Sequence, residues 1–211
     1  MKGTVYLFAC PAFADWEPPL VVSMISDTNR NFPKNRSYRV ITFGLSKEPV
    51  TSLGGIRVLP DTDVDGVDLA DAAMVILPGS SFYETNDPAE LVSLVRECVR
   101  KKIPVAAICG GTLFLARHGF LDAVHHTSCG PEWLKENAPA YRGEAHYVHA
   151  PSVTDGGIIT ANPFGFVEFA ADIIRTLDVF LPGFLEFWVR TIKTGYLNVD
   201  AVDPMAGTMK E

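Results

Sequence analysis

Runs of consecutive apolar residues alternate along the chain with stretches in which apolar residues recur every three or four positions. The uninterrupted runs are typical of strands buried on both faces, and the recurring pattern is typical of helices that bury one side. Strands are therefore predicted at residues 4–10, 38–43, 73–77 and 103–108. Helices are predicted to begin at Pro18, at Pro88, after Gly111 and at Pro131, and to span residues 166–177. Such alternation predicts an α/β fold with a mostly parallel sheet and helices on both faces.

The remaining segments have less regular patterns. The expected elements are a loop over residues 27–36, a hairpin over residues 50–59, a short polar strand over residues 124–129, and two strands over residues 147–153 and 157–161 joined by a turn. From about residue 181 a further apolar pattern predicts an extra C-terminal helical tail. We expect residues 1–211 to form a single domain, because the chain contains no clear linker or repeat.

One cysteine lies where a buried strand is predicted to turn into a helix. Cys109 follows the apolar run at 103–108 and precedes Gly110-Gly111, which permit a sharp turn. A residue at such a corner is pushed out of the sheet, as in the nucleophile elbow of hydrolases. The helix N-terminus favours an anion and is expected to lower the thiol pKa. A small buried core residue is the alternative, but the strand–Cys–Gly–Gly–helix context favours a reactive thiol.

Three separate segments follow predicted strand ends and are expected to share one edge of the sheet. They are residues 15–17, Gly79-Ser80 and Cys109. Ligands of such sheets bind at the carboxyl ends of the strands. The segments therefore predict one shared site.

A thiolate that attacks a carbonyl needs a proton partner and donors for the oxyanion. Glu17 is the candidate carboxyl, since a desolvated glutamate beside a thiolate keeps its proton and can donate it to the sulfur. The alternative is an ordinary first-turn glutamate that stabilises a helix N-terminus. The backbone N–H groups of Gly79, Ser80 and Gly110 are candidate oxyanion donors, with a plain turn as the alternative.

The histidines give weaker indications. His125 and His126 are adjacent, so on a strand only one of them can point at the site. We take His126 as the candidate catalytic histidine, with a structural role as the alternative. The five histidines show no metal-binding spacing, and no glycine-rich phosphate motif is present. The sequence therefore predicts neither a metal nor a cofactor.

Charge and composition limit the partners. The net charge of -7, with no basic block to offset it, argues against nucleic acid and anionic membranes. The N-terminal residues do not resemble a signal peptide, and no run reaches the roughly 18 apolar residues of a membrane span. The four cysteines lack CxxC spacing, which favours free thiols in a reducing compartment. We therefore expect a cytoplasmic protein that acts on a small-molecule or peptide substrate.

The chain resembles the ThiJ/PfpI superfamily, whose fold is of the class I glutamine amidotransferase type, over about residues 2–177. The matching stretches are residues 13–17, 75–79, 106–111, 115–116, 158–162 and 168–170. The resemblance implies a flavodoxin-like three-layer sandwich, a nucleophilic and oxidisable Cys109, a Glu17 hydrogen-bonded to it, and a homodimer. Family members include cysteine peptidases, glyoxalases or deglycases, isonitrile hydratases and stress proteins.

Three positions depart from the family pattern. PfpI-type proteases carry a histidine directly after the nucleophile, where this chain has Gly110. Other members place a histidine about twenty residues after the cysteine; that position here is Cys129, with His126 three residues before it. Ser80 replaces the second glycine of the usual Leu-Pro-Gly-Gly. The site is therefore completed either by a histidine or by a second thiol.

These observations predict a cysteine-dependent hydrolase or lyase for a small carbonyl or amide substrate, with Cys109 as nucleophile. One alternative is a non-catalytic, redox-responsive stress protein in which Cys10 or Cys129 forms a disulfide with Cys109. Another is a partner-dependent glutamine amidotransferase-like subunit. A positioned histidine would favour the enzyme, and a second thiol within disulfide reach would favour redox chemistry.

Overall fold

A seven-stranded sheet forms the centre of the molecule. The computed structural model describes residues 3–31, 38–180, 183–196, 202–203 and 208–209. The strands are β1 (Thr4–Phe8), β2 (Arg39–Gly44), β3 (Val50–Thr51), β4 (Arg57–Val58), β5 (Thr62–Asp63), β6 (Ala72–Leu77), β7 (Val105–Ile108), β8 (Ser152–Asp155), β9 (Ile158–Ala161), β10 (Val202–Asp203) and β11 (Thr208–Met209). The sheet order is β5-β2-β1-β6-β7-β9-β8, with every pair parallel except β8–β9.

Helices cover both faces of this sheet. They are α1 (Pro18–Asn31), α2 (Phe82–Thr85), α3 (Ala89–Arg100), α4 (Gly110–Arg117), α5 (Pro131–Asn137), α6 (Phe166–Leu177) and α7 (Phe184–Thr194), with short 3-10 turns at Val64–Gly66 and Glu144–His146. Buried side chains of α3, α4 and α5 pack in one core, and those of α1, α6 and α7 in another on the opposite face. The chain therefore folds as the expected flavodoxin-like α/β sandwich of three layers.

The strongest apolar patterns predicted their elements well. Helix α6 spans the predicted residues because its apolar side chains, such as Phe169 and Ile173, are buried against the sheet. The predicted hairpin forms as the antiparallel pair β3–β4. The predicted tail helix forms as α7, whose Trp188 indole donates a hydrogen bond to Met24 on α1 at 3.0 Å. Residues 181–182, 197–201, 204–207 and 210–211 of that prediction lie outside the described residues, and its residues 202–203 and 208–209 pair as the strands β10 and β11 rather than forming a helix. The single-domain organisation stays a prediction.

Three predictions were wrong. The strand predicted over residues 147–153 begins only at Ser152, where β8 starts, and β8 continues through Asp155 into the predicted turn. Before β8, the Ala150 carbonyl accepts hydrogen bonds from the side chains of Thr127 and Asn162 instead of from a neighbouring strand.

The predicted loop at residues 27–36 is helical as far as Asn31, because α1 continues past its apolar stripe; residues 32–37 lie outside the described residues. The predicted polar strand at residues 124–129 forms only one isolated bridge, between His126 and Tyr147. In that segment the Thr127 N–H donates to the Thr160 hydroxyl at 2.9 Å. A side-chain acceptor thus satisfies a backbone group that a strand would pair with a neighbouring strand.

Candidate active site

Cys109 lies at the elbow between β7 and α4, in an unusual backbone conformation. Its φ is 52° and its ψ is -122°, a region that costs a non-glycine residue about 1–3 kcal/mol and occurs mostly at functional sites. Neighbouring hydrogen bonds fix this conformation. The Cys109 N–H donates to Ala161 O at 3.0 Å, and its carbonyl accepts from the Thr112 hydroxyl at 2.6 Å. The thiol remains partly exposed.

The glycines that follow Cys109 allow close backbone contact with the loop after β6. A Cβ on Gly110 would overlap the carbonyl oxygen of Ser80. A Cβ on Gly111 would lie 2.7 Å from Leu77 O. A histidine directly after the nucleophile therefore does not fit this backbone. The sequence has no histidine at the PfpI-type position, and the backbone leaves no room for one there.

Glu17 is fully buried beside Cys109. Its Oε2 accepts a hydrogen bond from the Gly79 N–H at 2.6 Å, whereas its buried Oε1 has no hydrogen-bond partner. A Cβ on Gly79 would lie 2.7 Å from Cys109 Cβ and 2.5 and 2.8 Å from the two Glu17 oxygens. The Glu17 carboxyl and Cys109 thus occupy the space that a side chain at residue 79 would need, so this position requires glycine.

Burial determines the protonation of Glu17. Desolvation, together with charge on Cys109, raises the pKa of Glu17 to about 8, although the Gly79 N–H acts in the opposite direction. The carboxyl therefore carries a proton at neutral pH, as predicted for a desolvated glutamate. The alternative of a solvated first-turn glutamate is excluded, because the side chain is buried and bonds to Gly79.

The structure changes the set of oxyanion donors. The Gly79 N–H is occupied by Glu17, so its assignment as an oxyanion donor was wrong. The Ser80 hydroxyl is also occupied, since it donates to Pro11 O at 2.6 Å and accepts from the Phe82 N–H at 2.9 Å. The Gly110 N–H lies beside the Cys109 sulfur and acts to lower its pKa. The Gly110 N–H and the Ser80 backbone N–H stay candidate donors.

His126 is not a partner of Cys109. Its Nδ1 lies 2.8 Å from Val124 O, and its Nε2 lies 2.6 Å from the Tyr141 hydroxyl. Since a carbonyl can only accept, Nδ1 carries the hydrogen and Nε2 accepts from Tyr141. Both ring nitrogens are used, the ring is fully buried, and burial lowers the pKa of His126. The prediction of a catalytic His126 was therefore wrong, and the residue is structural. The neighbouring His125 is exposed and pairs with Asp155.

Replacing His126 with phenylalanine should leave Cys109 reactivity unchanged and should destabilise the fold by about 1–3 kcal/mol, because the Tyr141 hydroxyl loses its partner. The wild type should also lose stability as the pH falls below the ordinary histidine pKa, since the unfolded chain binds a proton that folded His126 resists. The variant should lack this component. Urea unfolding and Cys109 alkylation at several pH values check both points. A tenfold fall in alkylation would restore His126 to the site.

Cys129 occupies the position that the histidine was expected to fill. Its Sγ lies 3.8 Å from the Cys109 Sγ. The Cys129 thiol donates toward the Cys109 sulfur. The contact between the two thiols, together with burial, raises the pKa of Cys109, and the same contact lowers the pKa of Cys129. The helix N-terminus therefore does not give Cys109 the low pKa expected from the sequence. The ionisations of the two thiols are therefore coupled.

An open cleft of about 620 Å³ adjoins Cys129. Its lining residues are Thr127, Ser128, Cys129, Gly130, Pro131, Glu132, Tyr147, His149, Ala150, Pro151, Asn162, Pro163 and Phe164. The rings of Tyr147 and His149 pack edge to face at 5.1 Å on one side. The Phe164 side chain is 89% exposed. The cleft offers room for a substrate larger than the reacting group alone. Its walls come from a segment that sequence reasoning assigned to strands.

Asp15 lies in the same loop as Glu17 but serves the β3–β4 hairpin. Its carboxylate accepts from the Ser52 hydroxyl and, at 2.6 Å, from the Gly54 N–H, which lowers the pKa of Asp15. Of the predicted rim residues, the structure thus brings Glu17, Gly79 and Cys109 together. Within the described ranges, no three His, Cys, Asp or Glu side chains are grouped to hold a metal ion. None of the described helices is long and apolar enough to span a membrane.

The structure thus combines a mostly parallel α/β sandwich with a cysteine at a strand-to-helix elbow and a buried glutamate beside it. Comparison with known families agrees: the DJ-1/PfpI family profile matches residues 3–176. The chain belongs to the DJ-1/PfpI family, which confirms the resemblance to the ThiJ/PfpI superfamily.

Relatives match nearly the whole chain. The uncharacterized protease YoaZ of Bacillus subtilis is 33% identical over 191 residues, 90% of each chain. The crystal structure of a ThiJ/PfpI family protein from Bacillus anthracis superposes with a TM-score of 0.85 at 32% identity, covering 93% of both chains. A DJ-1 superfamily protein from Agrobacterium tumefaciens has a TM-score of 0.79 at 31% identity, covering 92% of this chain and 98% of the other.

Proposed function

We propose that this protein is a cysteine-dependent hydrolase or lyase that acts on a small carbonyl or amide substrate through Cys109. The observation that carries the proposal is the Cys109 elbow beside a fully buried Glu17 whose Oε1 has no partner. A buried carboxyl with an unused oxygen is costly to keep. A protonated Oε1 can donate a hydrogen bond to a charged sulfur or to a substrate oxygen, which would explain why the buried carboxyl is kept.

In the proposed reaction the thiolate form of Cys109, a minor population because the pKa of this thiol is raised, attacks the carbonyl carbon. A carbon–sulfur bond forms, and the electron pair of the C=O bond moves to the oxygen. The N–H groups of Gly110 and Ser80 are the proposed donors to that oxyanion. Glu17 supplies its proton to the substrate oxygen or leaving group, as its raised pKa permits at neutral pH.

The surroundings favour a reactive carbonyl or amide over an ordinary peptide bond. Gly110 leaves no space for the histidine of the PfpI-type proteases, and His126 is bound elsewhere. Without a basic side chain at the sulfur, an amine leaving group depends on Glu17 alone for its proton. Two Bacillus subtilis relatives carry the name uncharacterized protease, so a peptide substrate belongs in the test as the comparison.

The proposal also includes the compartment and the oligomeric state of the protein. All four cysteines are free thiols, which suits a reducing compartment, and we propose a cytoplasmic homodimer built from a single domain. The family membership supports the dimer. Light scattering on the full chain measures it directly, and a monomer at micromolar concentration would refute it.

The test of the proposed activity is a panel of small aldehydes, simple amides and short peptides. Consumption is followed over time, and the covalent adduct on Cys109 is identified by mass spectrometry of quenched samples. We expect turnover of at least one aldehyde or amide, with an adduct on Cys109. Turnover of peptides alone would favour a protease, and no turnover with any member would refute the proposed activity.

A further inference from the structure

Two thiols face each other at the edge of the cleft. The Cys109 and Cys129 sulfur atoms are 3.8 Å apart, which is a van der Waals contact. A disulfide requires a sulfur–sulfur bond of about 2.05 Å. Rotation of one cysteine side chain about its Cα–Cβ bond moves the sulfur by more than the remaining gap. Cys129 is exposed and lies in a loop rather than in a strand. The two sulfurs can therefore close without a rearrangement of the sheet.

Hydrogen bonds tie the two cysteine segments together. The Thr112 hydroxyl donates to Cys109 O and lies 2.6 Å from the Ser128 hydroxyl, and both side chains are buried. The Tyr147 hydroxyl accepts from the Ser128 N–H at 3.3 Å and donates to Ser128 O at 3.1 Å. Residue 128 is thus fixed to the first turn of α4, and this fixes where Cys129 stands. The fold therefore holds the two thiols next to each other.

The other two cysteines, Cys10 and Cys98, serve as unreactive controls within the same chain. Cys10 and Cys98 are fully buried, and burial raises the pKa of each to about 12. The Cys10 sulfur lies 4.0 Å from the Tyr83 hydroxyl, in the core beneath the site. Neither thiol ionises near neutral pH or reaches solvent. Of the four cysteines, only Cys109 and Cys129 combine access with a neighbouring thiol.

We propose that Cys109 and Cys129 form a dithiol centre that reduces hydroperoxides, an activity separate from the carbonyl chemistry of Cys109 alone. Cys129 is the attacking residue, because it is exposed at the cleft whereas Cys109 is only partly exposed. Cys109 is the resolving residue. The cleft beside Cys129, with its Tyr147, His149 and Phe164 rings, leaves space for an organic hydroperoxide as well as hydrogen peroxide.

The Cys129 thiolate attacks one peroxide oxygen, and the O–O bond breaks. The leaving alkoxide or hydroxide takes up the proton that Cys129 released on ionising and departs as alcohol or water, so that Cys129 becomes a sulfenic acid. The Cys109 sulfur then attacks the Cys129 sulfur, the S–O bond breaks, and water leaves with the Cys109 proton. A small external dithiol reduces the resulting disulfide by exchange. In sum, one hydroperoxide and two thiols give one alcohol, one water and one disulfide.

The experiment treats the full chain with one equivalent of hydrogen peroxide, followed by thiol counting, intact mass and peptide mapping under non-reducing conditions. We expect the wild type to lose two of its four thiols and two hydrogen atoms in mass, with a peptide linking Cys109 to Cys129. Dithiothreitol should reverse the change. With excess dithiothreitol, peroxide consumption should continue for many turnovers.

Single replacements separate the two roles. Cys109→Ser should trap a sulfenic acid on Cys129 that dimedone labels, and Cys129→Ser should slow peroxide consumption at least tenfold. Ser128→Ala, which keeps both thiols but breaks the tie to Thr112, should slow disulfide closure and increase over-oxidation. Cys98→Ala should behave as the wild type. A wild-type product with sulfinic acid on Cys109 and no linked peptide would overturn the proposal, as would equal peroxide consumption by Cys129→Ser.

The same variants distinguish this proposal from the carbonyl chemistry. Cys129→Ser should lose peroxide reduction and the linked peptide, whereas the covalent adduct on Cys109 should still form in the aldehyde and amide panel, at a rate set by the changed ionisation of Cys109. Cys109→Ser should lose both multiple-turnover activities. A failure of one activity therefore leaves the other measurable.

Discussion

Replacing Cys109 with serine should reduce turnover of every responding aldehyde or amide to background, a loss of at least about a thousandfold. Serine keeps the size and the hydrogen bonds of the residue. Its hydroxyl, however, ionises far above neutral pH, and no positioned base near residue 109 can activate it, since both nitrogens of His126 are bound elsewhere. The loss should therefore fall on the chemical step. Initial rates across the panel measure it.

Two comparisons make this result specific. Cys98→Ala removes a buried thiol of α3 and should leave turnover unchanged. Urea unfolding of Cys109→Ser should agree with that of the wild type within about 1 kcal/mol, because residue 109 is only partly buried and its strained backbone is retained. Turnover by a folded Cys109→Ser within tenfold of the wild type would show that Cys109 is not the nucleophile.

Replacing Gly110 with alanine should lower the free energy of unfolding by about 2–4 kcal/mol and should remove Cys109 reactivity. The added Cβ overlaps the carbonyl oxygen of Ser80, a backbone atom that cannot swing away as a side chain would. The elbow and the loop after β6 must then separate. This separation also moves Gly79, and with it the N–H that holds Glu17. Urea unfolding and Cys109 alkylation measure the two effects.

Gly157→Ala provides the matched control for this substitution. Gly157 has a φ of +82° and open space where a Cβ would stand. Alanine there should cost only the strain of the left-handed conformation, about 1 kcal/mol, and should leave Cys109 reactivity unchanged. If Gly110→Ala destabilises no more than Gly157→Ala, the close packing of the elbow against Ser80 is not required.

The sequence predicted best those features that depend on neighbouring residues. The apolar run at 103–108 followed by Cys109-Gly110-Gly111 specifies a strand, a turn and a helix within one segment, and the elbow formed there. Helix α6 was predicted with its bounds because its apolar side is continuous from Phe166 to Leu177. The protonation of Glu17 was expected only on the condition that the side chain is desolvated beside a thiolate, and the structure meets the first part of that condition by burying Glu17 fully.

Features that depend on distant segments could not be predicted. The Gly79 N–H is 62 residues from Glu17 in sequence, and only the folded sheet brings the two together. Residues 124–129 were predicted as a short polar strand, but the side chains of Thr160 and Tyr147 accept from the N–H groups of Thr127 and Ser128 instead. The same loop turns His126 into the core and Cys129 toward Cys109. Sequence reasoning left the choice between histidine and thiol open, and loop geometry decides it.

The strained backbone, the buried carboxyl and the paired thiols surround the same sulfur atom. Each is costly in a protein that only needs to fold. Together they support a reactive centre at Cys109 in which the ionisation of the Cys109 thiol is coupled both to that of Glu17 and to that of Cys129. The two proposed activities draw on different neighbours of this sulfur, and so can be separated by substitution.

The central claim, that Cys109 and Glu17 ionise as one coupled site, is tested most directly by the rate of Cys109 alkylation against pH. The comparison is Cys129→Ser with and without Glu17→Gln, so that the coupled ionisation of Cys129 is removed from both. With Glu17 present, its carboxylate should suppress the thiolate above the Glu17 pKa of about 8 and spread the profile over two inflections. With Glu17→Gln, a single ionisation and faster alkylation at high pH are expected. Superimposable profiles with the ordinary thiol pKa of about 8.5 would contradict the account.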